Sequence, residues 1–136
     1  LLQTGMELND GNVYRFCDHG YNVQEDGVYM TLENYRRNRD RAERFARASR
    51  RGWEWVAEHP EEALDIVMKI VREGHVATNR VLQKLMLEEI LRLQVDKDSG
   101  RREFRLRPDM VRLADSLMFR YGLLSRNVEY DELVVR

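Results

Sequence analysis

The chain has a single cysteine, Cys17, in 136 residues, so no internal disulfide framework is possible. It has only two prolines, Pro60 and Pro108, and no low-complexity segment, which predicts a mostly ordered chain. No stretch approaches the roughly 18 apolar residues of a membrane span, so the chain is not expected to be membrane-embedded. Neither sign of charge is in excess: 23 Lys+Arg stand against 24 Asp+Glu, a net charge of −1. A dedicated nucleic-acid binder would be basic overall, so no nucleic-acid partner is expected. The three histidines, His19, His59 and His75, lie far apart and in no metal-ligand spacing. No metal and no cofactor are therefore expected. The chain also lacks an initiator Met, a basic n-region and a signal peptide. It begins Leu1-Leu2-Gln3-Thr4-Gly5, which reads as the middle of a helix cut open. The expectation is a piece of a larger protein.

What the chain has in quantity is charge, at 35% of residues against about 25% in an average domain. Its apolar residues change period along the sequence. Residues 1–31 hold four of the eight glycines and show no helical period. Asn9-Asp10-Gly11-Asn12 is a turn signal, and Val13 to Cys17 reads as a short strand. Glu25-Asp26-Gly27 is a second turn, and Val28 to Thr31 reads as a second strand. From about residue 32 the period becomes 3.6. Ala42, Phe45, Ala46, Ser49, Gly52, Trp53 and Val56 share one face, with Asp40 and Glu43 as a capping box. His59-Pro60-Glu61-Glu62 starts the next helix, with carboxylates facing the positive end of the dipole. Its stripe is Ala63, Ile66, Val67, Ile70 and Val71, with Gly74 as C-cap. A third helix runs from about Thr78 to Leu93. Asp96 to Gly100 is a loop or hairpin tip. Pro108-Asp109 opens a fourth helix that Gly122 closes, and Val128 to Val135 reads as a strand or terminal turn. Four amphipathic helices bury a modest core. Two isolated strands need a larger sheet.

Few residues offer chemistry. Cys17 and His19 would share a face if the segment were a strand, so a thiol–imidazole pair is geometrically possible, and a small core residue is the simpler role for the cysteine. Arg36, Arg37, Arg39, Arg41, Arg44, Arg47, Arg50 and Arg51 crowd one helix. A basic helix can bind phosphates. These arginines lie opposite the apolar stripe, and no aromatics interleave with them, so a solvated face is the simpler reading. Trp53 joins the stripe, while Trp55 points about 200° away. The segment Asp18 to Tyr29 packs Asp18, His19, Tyr21, Glu25, Asp26 and Tyr29 between glycines. Such a loop suits a flat nitrogenous ligand, whose ring stacks on tyrosine and whose N–H groups donate to a carboxylate. An ordinary polar turn fits the same residues.

Two stretches resemble a known family. Asp18-His19-Gly20-Tyr21-Asn22-Val23-Gln24-Glu25-Asp26-Gly27-Val28-Tyr29 is similar to the crossover segment of the substrate-binding proteins of ABC importers. Phe45, Ala48, Gly52-Trp53, Pro60-Glu61-Glu62-Ala63 and Asp65-Ile66-Val67 resemble a run of the same family in residue type and spacing. The similarity is to the binders of thiamine-pyrimidine precursors and to yeast pyrimidine synthases, whose wider relatives bind nitrate, sulfonates and taurine. Arg39 departs from it, since the family usually has proline there.

The resemblance implies an α/β fold, the C-terminal portion of a type II periplasmic-binding-protein fold. This segment would be mainly helical, with about four helices and two or three short strands. Residues 1–31 would be the end of the second lobe and the crossover strands. Residues 32–136 would be a helical part packing on the first lobe, with the rest of the parent chain upstream. The implied role is the solute-binding component of an ABC importer, with no catalysis and with a permease as partner. Its location would be periplasmic, or that of an extracytoplasmic lipoprotein. The ligand residues would be Glu25, where the resembling pyrimidine binders place a cleft carboxylate, with Asp26 and Tyr29 beside it. A pyrimidine synthase is the enzymatic alternative, although no cysteine-rich iron motif is present. A basic helical nucleic-acid module is the third.

Overall fold

The computed structural model describes residues 14–21, 23–24, 26–97 and 99–134. They form a 3-10 turn, Phe16–His19, and five helices: α1 Leu32–Glu58, α2 Pro60–Glu73, α3 Arg80–Leu93, α4 Pro108–Arg120 and α5 Tyr130–Leu133. The chain divides into two compact units, one of residues 1–27 with 105–136 and one of residues 28–104.

Among the described residues there is no strand and no sheet, only one isolated antiparallel bridge between Val95 and Arg102. This corrects the α/β expectation. The cause is local. In the first expected strand, the carbonyls of Arg15 and Phe16 accept from the amides of Asp18 and Tyr21, beyond its end. Those acceptors are spent inside a turn, and Gly20 closes it at φ 86. Residues 1–13 of that region lie outside the described residues. In the second, the extended backbone ends as a helix cap: Thr31 Oγ1 accepts from the Asn34 amide at 3.2 Å. The third becomes α5, because Glu129 and Glu132 form a reciprocal capping box. Extended backbone needs a partner to become a ladder, and the sequence alone shows only the β formers.

The second unit is built on α1, α2 and α3. α1 begins at Thr31 and kinks at Asn38, where φ is −129° and ψ 30°. Asn38 Nδ2 donates to Asn34 Oδ1 at 2.7 Å and reaches the Asn34 carbonyl at 3.4 Å, an acceptor the helical ladder also uses. The expected capping box of Asp40 and Glu43 does not form, since α1 already begins at Leu32 and Asp40 lies inside it. Asp40 pairs with Arg44 at 2.9 Å, and Glu43 accepts from Arg39 at 2.7 Å and from the Tyr35 hydroxyl at 3.2 Å. Proline occupies the first turn of α2, as its sequence predicts. Gly74 caps the C-terminus of α2, but the left-handed residue is the next one, His75, at φ 52. The bonds from His75 to the Arg72 carbonyl and from Val76 to the Val71 carbonyl complete a Schellman arrangement there. Asn79 caps α3 by accepting from the Leu82 amide at 2.9 Å. The turn after α3 folds back as a hairpin tip, and Arg102 donates to the Leu91 carbonyl at 2.9 Å.

Burial is sparse. Ala42, Ala63 and Leu64 are the buried apolar residues of this unit, and Leu64 is 2% exposed. Much of the expected stripe of α2 faces outward: Ile66 is 52% and Ile70 61% exposed. Ion pairs join α2 to α3. Glu61 accepts from Lys84 at 2.6 Å and from Arg80 at 2.9 Å, and Arg80 also grips Asp65. Lys84, and then Arg80, hold the Glu61 carboxyl below its ordinary value.

The first unit centres on Val111 of α4, which is 6% exposed. Gly122, at φ 71, ends the helix in a second Schellman arrangement, with Leu123 bonding to the Met118 carbonyl. Asp115 accepts from the Val128 amide at 2.8 Å, and the Tyr130 hydroxyl donates to the Leu106 carbonyl at 2.9 Å. These bonds hold α5 to α4.

Leu64→Ala is expected to cost about 2–5 kcal/mol, because it empties the best-filled site of a thin core. Ile70→Ala, on the open face, is expected to change stability by less than about 0.5 kcal/mol. Urea unfolding of the two variants checks the contrast.

Candidate functional site

The segment with the strongest sequence signal includes the 3-10 turn Phe16–His19. The 3-10 turn places His19 flat on Tyr14, with ring centroids 3.9 Å apart and planes 6° apart. Phe16 meets the Tyr14 edge at 5.9 Å. Cys17 is half-buried and its thiol donates to the Asp18 carboxylate at 3.7 Å. A strand would have put Cys17 and His19 on one face. In a 3-10 turn, residues two apart point about 240° apart, so the premise of a thiol–imidazole pair is gone.

Glu25 lies outside the described residues. Asp26 is exposed and holds a left-handed backbone at φ 57, which redirects the chain before Gly27. Tyr29 is 89% exposed, a ring available for stacking. Asp26 belongs to the first unit and Tyr29 to the second.

Gln24 has a role that the sequence reading missed. Its Nε2 donates to the Arg105 carbonyl at 3.0 Å, and its Oε1 accepts from the Arg107 amide at 2.7 Å. One side chain thereby pairs with the extended backbone just before α4, as a strand neighbour would. Nothing in the local sequence signals this, since the two partners are 81 and 83 residues away.

Two hollows lie in the second unit. The first, of about 210 Å³, sits at the kink of α1 and is lined by Met30, Asn34, Asn38, Arg41, Ala42 and Phe45. It joins two amides and a guanidinium to an apolar floor. Arg41 makes no ion pair among the described residues. The sequence signal was available: Asn34 and Asn38 are poor helix formers four residues apart, a spacing that puts them on one face. The second hollow, of about 290 Å³, is an open apolar groove between α1, α2 and α3. Trp53, Trp55, Ile66, Met86 and Ile90 are among its walls, and Gln83 is its one polar lining residue among the described residues. Trp55 is held at its edge by His59, stacked at 4.8 Å.

The arginine run is largely neutralised along its own helix. Arg37, Arg39, Arg44, Arg47 and Arg50 pair with carboxylates four residues away. Arg50 also lies over the Phe104 ring at 5.7 Å. Such a face supplies little free positive charge for a phosphate backbone. Among the described residues, no group of three or more His, Cys, Asp or Glu is arranged to hold a metal ion. No helix among them is long and apolar enough to cross a membrane.

Residues 1–63 match the model of the family described as NMT1/THI5 like. The match supports the family resemblance at a coarse level for that stretch, which includes the Asp18–Tyr29 segment and the kink of α1. Residues 64–136 lie outside it. No curated protein and no solved structure matches the chain.

Gln24→Ala removes two hydrogen bonds and leaves the Arg107 amide without this partner. The expected loss is about 1–2 kcal/mol in the first unit. Amide exchange at Arg107 should accelerate while α2 keeps its protection. Unchanged exchange at Arg107 would show that the Gln24 bond holds nothing.

Proposed function

We propose that this chain is part of the solute-binding component of an ABC importer, which takes a small nitrogenous ring compound such as a pyrimidine precursor of thiamine. The observation that carries the reading is the family match over residues 1–63. Glu25, Asp26 and Tyr29 fall within that stretch, and so do Asn34, Asn38 and Arg41. Their chemistry suits the ligand. An aminopyrimidine donates N–H groups that a carboxylate accepts, and its ring nitrogens accept from an amide. Its flat ring stacks on an exposed tyrosine. On this reading the protein binds without catalysis, outside the cytoplasm as a periplasmic protein or extracytoplasmic lipoprotein. It then passes its ligand to a permease.

A thermal-shift panel tests the reading on the intact chain, with thiamine, aminopyrimidines, nitrate, taurine and alkanesulfonates. An aminopyrimidine at 100 times its dissociation constant is expected to add about 2.7 kcal/mol, a shift of a few degrees. Glu25→Gln and Tyr29→Ala should each abolish the shift. A sulfonate or nitrate response would overturn the ligand class, since an anion would not choose Glu25. Iron-dependent consumption of a histidine, read by mass spectrometry, would replace transport with synthase chemistry.

A further inference from the structure

Arg41 stands apart from the other arginines of α1. Each of the others has a carboxylate three or four residues away, within reach on the helix surface. Arg41 has none, because those four positions hold Arg37, Asn38, Arg44 and Phe45. The carboxylates around the kink are engaged elsewhere. Glu33 pairs with Arg37, Asp40 with Arg44, and Glu43 with Arg39 and Arg47. Arg41 makes no ion pair among the described residues, and it lines the hollow at the kink.

The same hollow holds a polarised pair of amides. Asn34 Oδ1 accepts from Asn38 Nδ2 at 2.7 Å. That bond uses the acceptor end of Asn34 and leaves its Nδ2, a donor, with no partner among the described residues. Asn34, Asn38, Arg41 and Phe45 follow one another at steps of four, three and four, so they form one row along α1. Met30, Ala42 and Phe45 are the apolar part of the lining. An uncompensated cation, a free N–H donor and an aromatic ring thus share a space of about 210 Å³. Drug-sized pockets begin at about 300 Å³, so the hollow suits a small molecule.

We propose that the hollow at the kink of α1 binds a small organic acid, with its carboxylate on Arg41 and Asn34 and its apolar body against Phe45 and Met30. The planar fork of a guanidinium matches the two oxygens of a carboxylate. An ammonium group would meet an unpaired cation and be repelled. An inorganic anion would satisfy Arg41 and leave the apolar lining uncovered. The site does not depend on the aminopyrimidine reading: Glu25 and Asp26 offer acceptors, and this hollow offers donors.

A 15N NMR titration of the full chain with phenylacetate tests this, read at the Arg41 Nε–H and the Asn34 side-chain amide. Phenylacetate carries no ring nitrogen and no N–H, so its failure would leave the aminopyrimidine reading standing. The expected result is saturable shifts at both groups, with a dissociation constant on the order of 1 mM. Phenylacetamide, of the same shape without the charge, should bind about tenfold more weakly or worse, and so should inorganic sulfate. Arg41→Gln should weaken phenylacetate by a similar factor. Arg41 is exposed, so folding is expected to survive the change, and unmoved backbone signals in α2 and α3 check it. No saturable shift at Arg41 and Asn34 overturns the proposal. So does phenylacetamide or sulfate binding as tightly as phenylacetate, or phenylacetate binding unchanged in Arg41→Gln.

Discussion

Burial of Leu64 and Ala63 at the first turn of α2 is the interaction on which residues 28–104 depend. Leu64 is the one large side chain there that is fully enclosed among the described residues. Its position follows from the residues around it. His59 stacks on Trp55 at the end of α1, and Pro60 starts α2 at once. Trp53 and Val56 of α1, Ala63 and Leu64 of α2 and Leu87 of α3 line the same groove. With so little else buried, the remaining apolar residues cannot all be satisfied within the unit. The open groove is the direct consequence.

Polar chemistry then does what a larger core would otherwise do. Thr31, Asn79 and the Glu129–Glu132 box fix where helices begin, and His75 and Gly122 fix where two of them end. Exposed ion pairs along α1 keep a long, arginine-rich helix soluble without making it a phosphate-binding face. The cluster of Glu61, Asp65, Arg80 and Lys84 sets α3 beside α2. The charged fraction that is conspicuous in the sequence is thus spent mostly on lateral order. Arg41, which makes no ion pair among the described residues, lines the hollow at the kink.

Much of the helical organisation was legible, because its signals are local. Pro60-Glu61-Glu62 and Pro108-Asp109 announce helix starts through dihedral and dipole alone, and both helices begin there. The misreadings share a different origin. Val13–Cys17 and Val28–Thr31 are rich in β formers, yet a strand exists only with a partner; the 3-10 turn takes the Arg15 and Phe16 carbonyls, and the Thr31 carbonyl accepts from the Tyr35 amide of α1. The stripe of α2 was visible as a pattern, but periodicity does not say whether a face is covered, and Ile66 and Ile70 are not. Gln24 was illegible for the same reason, since its partners are more than 80 residues away. The candidate ligand residues were found by family likeness, and the hollow at Asn34, Asn38 and Arg41 emerged only when the kink of α1 placed them together.

The account makes α2 the keystone of its unit and the segment before α1 an unpaired connection. Backbone amide exchange, followed residue by residue by NMR on the intact chain, tests both halves at once. The account predicts that the slowest amides of residues 28–104 lie in α2 and the turns of α1 and α3 facing Leu64, while Val28–Thr31 exchanges rapidly. Rapid exchange throughout α2, or strong protection at Val28–Thr31 such as a sheet would give, would contradict it.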